Sequence, residues 1–168
     1  CGRQGDEGGA AKMNMQEAAD RADAMLDATL GAIVPEVQWG HRTHTARGCD
    51  VTRRRAVTTI ISAQRRGSFL GVVERFWKKS GYRITSVNPS QEMPAVFATS
   101  PDGFQLALKI GYKGQAFFDA ITPCVEPSDV AAPTSPPNGP AHPPGRIPTP
   151  NVRSDFWSAT TPAPSPSG

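Results

Sequence analysis

The stretch that decides the fold runs from 95 to 122, AVFATSPDGFQLALKIGYKGQAFFDAIT. Its first two arms, Ala95 to Thr99 and Phe104 to Ile110, flank Ser100-Pro101-Asp102-Gly103. Proline suits the first central position of a turn there, and Gly103 can take a positive φ, so the spacing predicts a β-hairpin. On the second arm Phe104, Leu106, Leu108 and Ile110 alternate with Gln105, Ala107 and Lys109. One side of the sheet therefore packs and the other meets water. Gly111 to Gly114 reads as a further turn, and Ala116 to Thr122, with Phe117, Phe118 and Ile121, as the last strand.

Upstream the periodicity changes twice. A helix is expected from Asn14 to about Ile33, with Asn14 as cap and Glu17 placed to reciprocate. Ala18, Ala22, Met25, Leu26, Leu30 and Ile33 recur at helical spacing, while Asp20, Asp23 and Asp27 are expected to face away. Asp23 and Asp27, four apart, read as a mildly repulsive pair. Val37 to Arg47 alternates as one strand, and Arg55 to Ala63 reads as a second through Val57, Thr58, Thr59, Ile60 and Ile61. From Ser68, Phe69, Val72, Val73, Phe76 and Trp77 return to helical spacing, closed by Lys78, Lys79 and Gly81. Tyr82 to Val87 starts another strand. The order is αββαββββ, and the expected fold is α+β, with two helices on one face of a mainly antiparallel sheet of four to six strands.

Composition sets the limits of that domain. Of the 17 prolines in 168 residues, 12 follow Glu126, so residues 126–168 are expected to form a disordered Pro/Thr/Ser-rich tail. Residues 1–12 are glycine-rich and polar and read as a flexible tether, which leaves 13–125 as the domain. Thr134, Thr149, Thr160 and Thr161 among the prolines suit O-glycosylation, and Phe156-Trp157 is a candidate docking motif in an otherwise polar tail. No apolar run approaches the roughly 20 residues of a membrane helix.

Charge is segregated. Residues 51–125 carry 11 basic and 4 acidic side chains, against 5 and 8 in residues 1–50. Arg53, Arg54 and Arg55 with Arg65 and Arg66 are candidates for an anion-binding or partner surface, and Lys78, Lys79 and Arg83 form a third basic cluster. Nucleic acid is not expected, because no recognition motif accompanies the arginines.

Little else in the chain points to chemistry. His41 and His44 stand three apart on an expected strand, and so on opposite faces, unable to share a metal. Asp50 and Asp119 nominate no opposed acid pair. There is no P-loop, nucleophile elbow or calcium loop, and no metal or cofactor is expected.

Cys1, followed by a polar tether, resembles the start of a mature bacterial lipoprotein of the actinobacterial type, in which a signal peptide is removed and the cysteine receives lipid such as palmitate. That resemblance covers architecture alone. It implies attachment to the extracytoplasmic face of the cell membrane through Cys1. Export would in turn leave Cys49 and Cys124 as an oxidised pair. The implied role is non-enzymatic: a binding or regulatory accessory protein acting with another envelope protein. Two alternatives stand beside it, a small-molecule carrier or sensor with a pocket between helices and sheet, and a cell-wall-active enzyme using His41, His44, Asp50 or Asp119.

Overall fold

The computed structural model describes residues 13–90, 92–111, 114–138 and 150–161. Helix α1 (Met15–Gly31) is followed by strands β1 (Trp39–His41), β2 (Thr45–Arg47) and β3 (Asp50–Val57). Helix α2 (Arg66–Lys79) then precedes β4 (Arg83–Asn88), β5 (Ala95–Thr99), β6 (Gln105–Ile110) and β7 (Ala116–Ile121). All strand pairs are antiparallel, in the order β1-β3-β7-β6-β5-β4, and β2 pairs with β3 beside β1. The domain is α+β: α1 lies over β3 and β7, and α2 over β4 and β5, on one face of the sheet.

The local code explains the elements. The capping box of α1 is complete: Asn14 Oδ1 accepts the Glu17 amide at 2.8 Å, and the Glu17 carboxylate accepts the Asn14 amide at 3.0 Å. Ala18, Ala19 and Ala22 are buried, so the helix backbone lies close to the sheet. Gly103 has φ 93° in the β5–β6 turn, as a short hairpin of this kind requires. Buried Leu106, Leu108, Ile110, Phe118 and Val96 form the sheet's contribution to the core, against Leu26, Phe69, Val73 and Trp77 from the helices. Trp77 Nε1 donates to Thr29 Oγ1 at 3.0 Å and thereby joins α2 to α1.

Three expectations are corrected. The single strand from 37 to 47 is two, because the chain advances four residues from His41 to Thr45 while its partners advance three, from Arg55 to Thr52. That extra residue is a bulge, invisible to an alternating pattern that continues through it. Secondly, β3 begins at Asp50 and ends at Val57, five residues earlier than expected at its start. Gly48, with φ 59°, makes the β2–β3 turn tight enough for pairing to resume at once. Among the described residues the sheet thus has seven strands, in the order αβββαββββ.

The third correction concerns the expected tail, in the parts of it that are described. Residues 126–138 cross α1 and β1 as a strap. Glu126 exchanges backbone hydrogen bonds with Met13 and Met15, Ala131 donates to Gln16 Oε1 at 2.6 Å, and Asn138 bonds to Glu36, Val37 and Trp39. Residues 150–161 form a second docked segment, in which Val152 bridges Thr59 in parallel and Trp157 is buried. Proline removes amide donors yet leaves carbonyls and side chains free to bond, and both segments use them. The expected tether, Cys1 included, lies outside the described residues, as does Thr149.

Candidate functional site

On β3, Val51, Arg53, Arg55 and Val57 alternate with Thr52 and Arg54, so two arginines face the helix layer. Both are buried: Arg53 is 1% exposed and Arg55 fully enclosed. Asp23, on the inner side of α1, meets them, with Oδ2 3.0 Å from Arg53 Nε and Oδ1 3.1 Å from Arg55 Nη2. Arg55 Nη1 reaches Asp27 Oδ1 at 2.7 Å, and its guanidinium lies 4.4 Å from the centre of the Trp39 ring. The strap closes this network. Ala131 O accepts Arg53 Nη2 at 2.9 Å, Ser135 Oγ donates to Asp27 Oδ2 at 2.7 Å, and Ser135 O lies 2.7 Å from His41 Nε2.

The expected arginine surface is therefore corrected for Arg53 and Arg55, which are internal struts, and for Arg65, which is buried under the second docked segment. Arg65 bonds to Thr161 through Nε and Nη2 and lies 4.5 Å over the Phe156 ring. Asp23 is corrected as well: it faces inward, and the Arg55 guanidinium between it and Asp27 turns an expected repulsion into bridging. Arg54 sits on the opposite sheet face and donates to Thr43 O and Thr45 Oγ1. Arg66 donates to the Glu92 carbonyl at 3.0 Å.

The histidines are not brought into a shared site. Partial burial first, opposed by the Ser135 carbonyl and reinforced by Arg55, holds His41 below the usual histidine value; Asp23 and Asp27 pull it back up. His44 is lowered by burial and by Arg53. Asp119 pairs with Lys109 at 3.1 Å on the open sheet face, away from His41 under the strap, and Asp50 stands opposite Arg47 at the β2–β3 turn. Among the described residues no group of three or more His, Cys, Asp or Glu side chains could hold a metal ion, and no helix is long and apolar enough to cross a membrane. Cys49 and Cys124 are joined in a disulfide, and Val125 N donates to Cys49 O at 2.8 Å, so β7 is tied back to the β2–β3 turn.

A groove lies elsewhere, between α2 and the edge strand β4. This groove of about 510 Å³ is lined by Arg66, Gly67, Leu70, Gly71 and Glu74 from the helix and by Val87, Asn88, Pro89, Pro94 and Val96 from the sheet side. Glycines at 67 and 71 remove side chains from successive turns of one helix face, and a Cβ on Gly67 would meet nothing within 4 Å. Sequence reasoning passed over both glycines. Their spacing inside an otherwise helical pattern was the available signal, since each weakens the helix by about 1 kcal/mol relative to alanine and calls for another reason to be there. A smaller hollow of about 340 Å³ lies under the strap, between Asp27, Leu30, Trp39 and Ser135.

No family model, no curated protein and no solved structure matches the chain.

Proposed function

We propose that the chain is an exported binding or regulatory accessory protein of the cell envelope, acting through contacts with another envelope protein rather than through catalysis. The observation that carries this reading is the Cys49–Cys124 disulfide, which closes a separation of 75 residues. Such bonds persist in oxidising compartments and are rare where thiols are kept reduced. The carboxylates and guanidiniums most concentrated in sequence also support it, because Asp23, Arg53 and Arg55 are consumed in holding α1 to the sheet. What the fold presents outward is an open groove and an unpaired sheet edge.

Attachment through lipid on Cys1 belongs to the same reading and falls on a residue outside those described. Intact-mass measurement of protein taken from native membranes tests both points together. The expected species carries acyl mass on Cys1 and lacks two hydrogens relative to the dithiol. Crosslinking in intact cells should then join it to a defined envelope protein. Recovery of the native protein with free Cys49 and Cys124 thiols would overturn the export reading.

A further inference from the structure

The groove between α2 and β4 has an unusual border. Val87 pairs with Val96, and residues opposite one another on neighbouring strands share a face, so Val87 belongs to the helix-covered side of the sheet. Val96 is fully buried there, yet Val87, on the open border of the groove, is 48% exposed. Val34, Val87 and Met93 are the exposed large apolar side chains among the described residues, and two of the three sit here: Val87 lines the groove and Met93 precedes its lining residue Pro94. Beside them β4 ends the sheet, and among the described residues its backbone is paired on one side only, with β5. A register shift between Ile84 and Ser86 breaks the upper part of this edge and leaves 86–88 regular, alongside the groove.

The charge around it is one-sided. Residues 66–94 hold five basic side chains, Arg66, Arg75, Lys78, Lys79 and Arg83, against Glu74 and Glu92. Glu74 is matched to Lys78 at 3.2 Å. Arg75, Lys79 and Arg83 are exposed and have no ion pair among the described residues. Arg75 folds back along the helix, so that its Nη1 would lie 3.1 Å from a Cβ on Gly71, at the lip of the groove.

We propose that this edge takes an extended acidic segment of a partner protein, which adds a strand to β4 at 86–88 and seats an apolar side chain over Gly67, where a Cβ would meet nothing within 4 Å. Main-chain pairing with the edge supplies affinity, the groove selects alternate side chains, and the cations select acidic residues between them. The proposal rests on the binding role above and names its partner class.

The test uses the full oxidised chain and a displayed library of random peptides about ten residues long, the span of a long strand. Selection should enrich sequences in which Asp or Glu alternates with apolar residues. The best peptide should shift the amides of 86–88, Gly67 and Gly71 in NMR spectra and bind less tightly as salt rises. Gly67→Leu, which builds a side chain into the open space of the groove, and Val87→Glu, which places a carboxylate on its exposed border, should each weaken binding at least about tenfold. Using both variants guards against a folding defect in either. Failure to enrich any sequence, selection of basic peptides, equal binding by wild type and both variants, or shifts confined to the open sheet face would overturn the proposal. Crosslinking to an envelope partner through another surface would overturn the edge site and leave the binding role intact. Reduced cysteines in native protein would remove the export reading without touching the peptide result.

Discussion

Arg53 Nε, on β3, stands 3.0 Å from Asp23 Oδ2, on α1, with both side chains withdrawn from water. Arg55 shares the same carboxylate. A buried ion pair of this kind contributes little net stability against an apolar substitute, but removing one partner strands the other charge. Asp23→Ala leaves two enclosed guanidiniums without their common counter-ion and should lower unfolding stability by about 3–5 kcal/mol. Asp27→Ala should have a smaller effect, within about 1 kcal/mol, because the Asp27 side chain is 43% exposed and solvent screens it. Urea titration of the oxidised protein separates the two. The triple replacement Asp23→Leu, Arg53→Met, Arg55→Met should recover most of the loss; failure to do so would mean that the ions themselves, rather than their pairing, hold the interface.

This relationship also marks where sequence reading runs out. The alternation on β3 places 53 and 55 beside Val51 and Val57, but the expected strand began only at Arg55, and arginine is ordinarily read as an outward residue, so both were assigned to a surface. Asp23, expected to face away from the inner stripe of α1, holds the missing half, since it meets both guanidiniums there. By contrast, the hairpin at 100–103 and the capping box at Asn14 and Glu17 were readable because each is a local contact encoded within four residues. The strap and the groove depend on contacts between residues about a hundred positions apart or on missing side chains, and neither leaves a periodic trace.

Trp157 replaces the expected docking motif with an internal one. Its ring is 1% exposed, packs edge-on against Phe69 at 5.2 Å, and donates from Nε1 to Pro35 O at 2.7 Å. Ser158 Oγ donates to Ile60 O at 2.7 Å, and Ser62 Oγ to Ala159 O. Trp157→Ala should cost about 3–5 kcal/mol by leaving a cavity beside Phe69. Limited proteolysis should then cut within 150–161 much faster than in wild type. An unchanged cleavage pattern would show that the segment stays docked without its tryptophan.

The disulfide makes a separate contribution. Closing a loop of 75 residues is worth about 4.5 kcal/mol in the chain-entropy picture. Cys49→Ser with Cys124→Ser should lower the urea midpoint accordingly. Because Val125 N and Cys49 O are also hydrogen-bonded, the β7 end should remain in register. Amide exchange at Val125 should accelerate toward the new global unfolding rate, while Leu106 and Leu108, in the middle of the sheet, should exchange no faster than that same global limit.

His41 gives the protein a pH dependence whose sign follows from its surroundings. Its imidazole lies below the ordinary value of 6.5 in the folded state, chiefly through burial, with Arg55 adding to the effect and Asp23, Asp27 and the Ser135 carbonyl opposing it. As pH falls through 6.5 the unfolded chain takes up a proton that the folded chain still refuses, so stability declines with acidification until the lower folded value is reached. Above 6.5 both states are neutral at this position and the contribution is flat. His44 is lowered in the same direction and adds to the slope. Urea midpoints measured from neutral pH down toward the carboxylate range should fall in wild type, and His41→Gln, which keeps a donor for Ser135 O and cannot titrate, should flatten the upper part of that decline. A slope unchanged by His41→Gln, but abolished by replacing His44, would move the effect to the segment between β1 and β2 and leave the strap without a titrating contact.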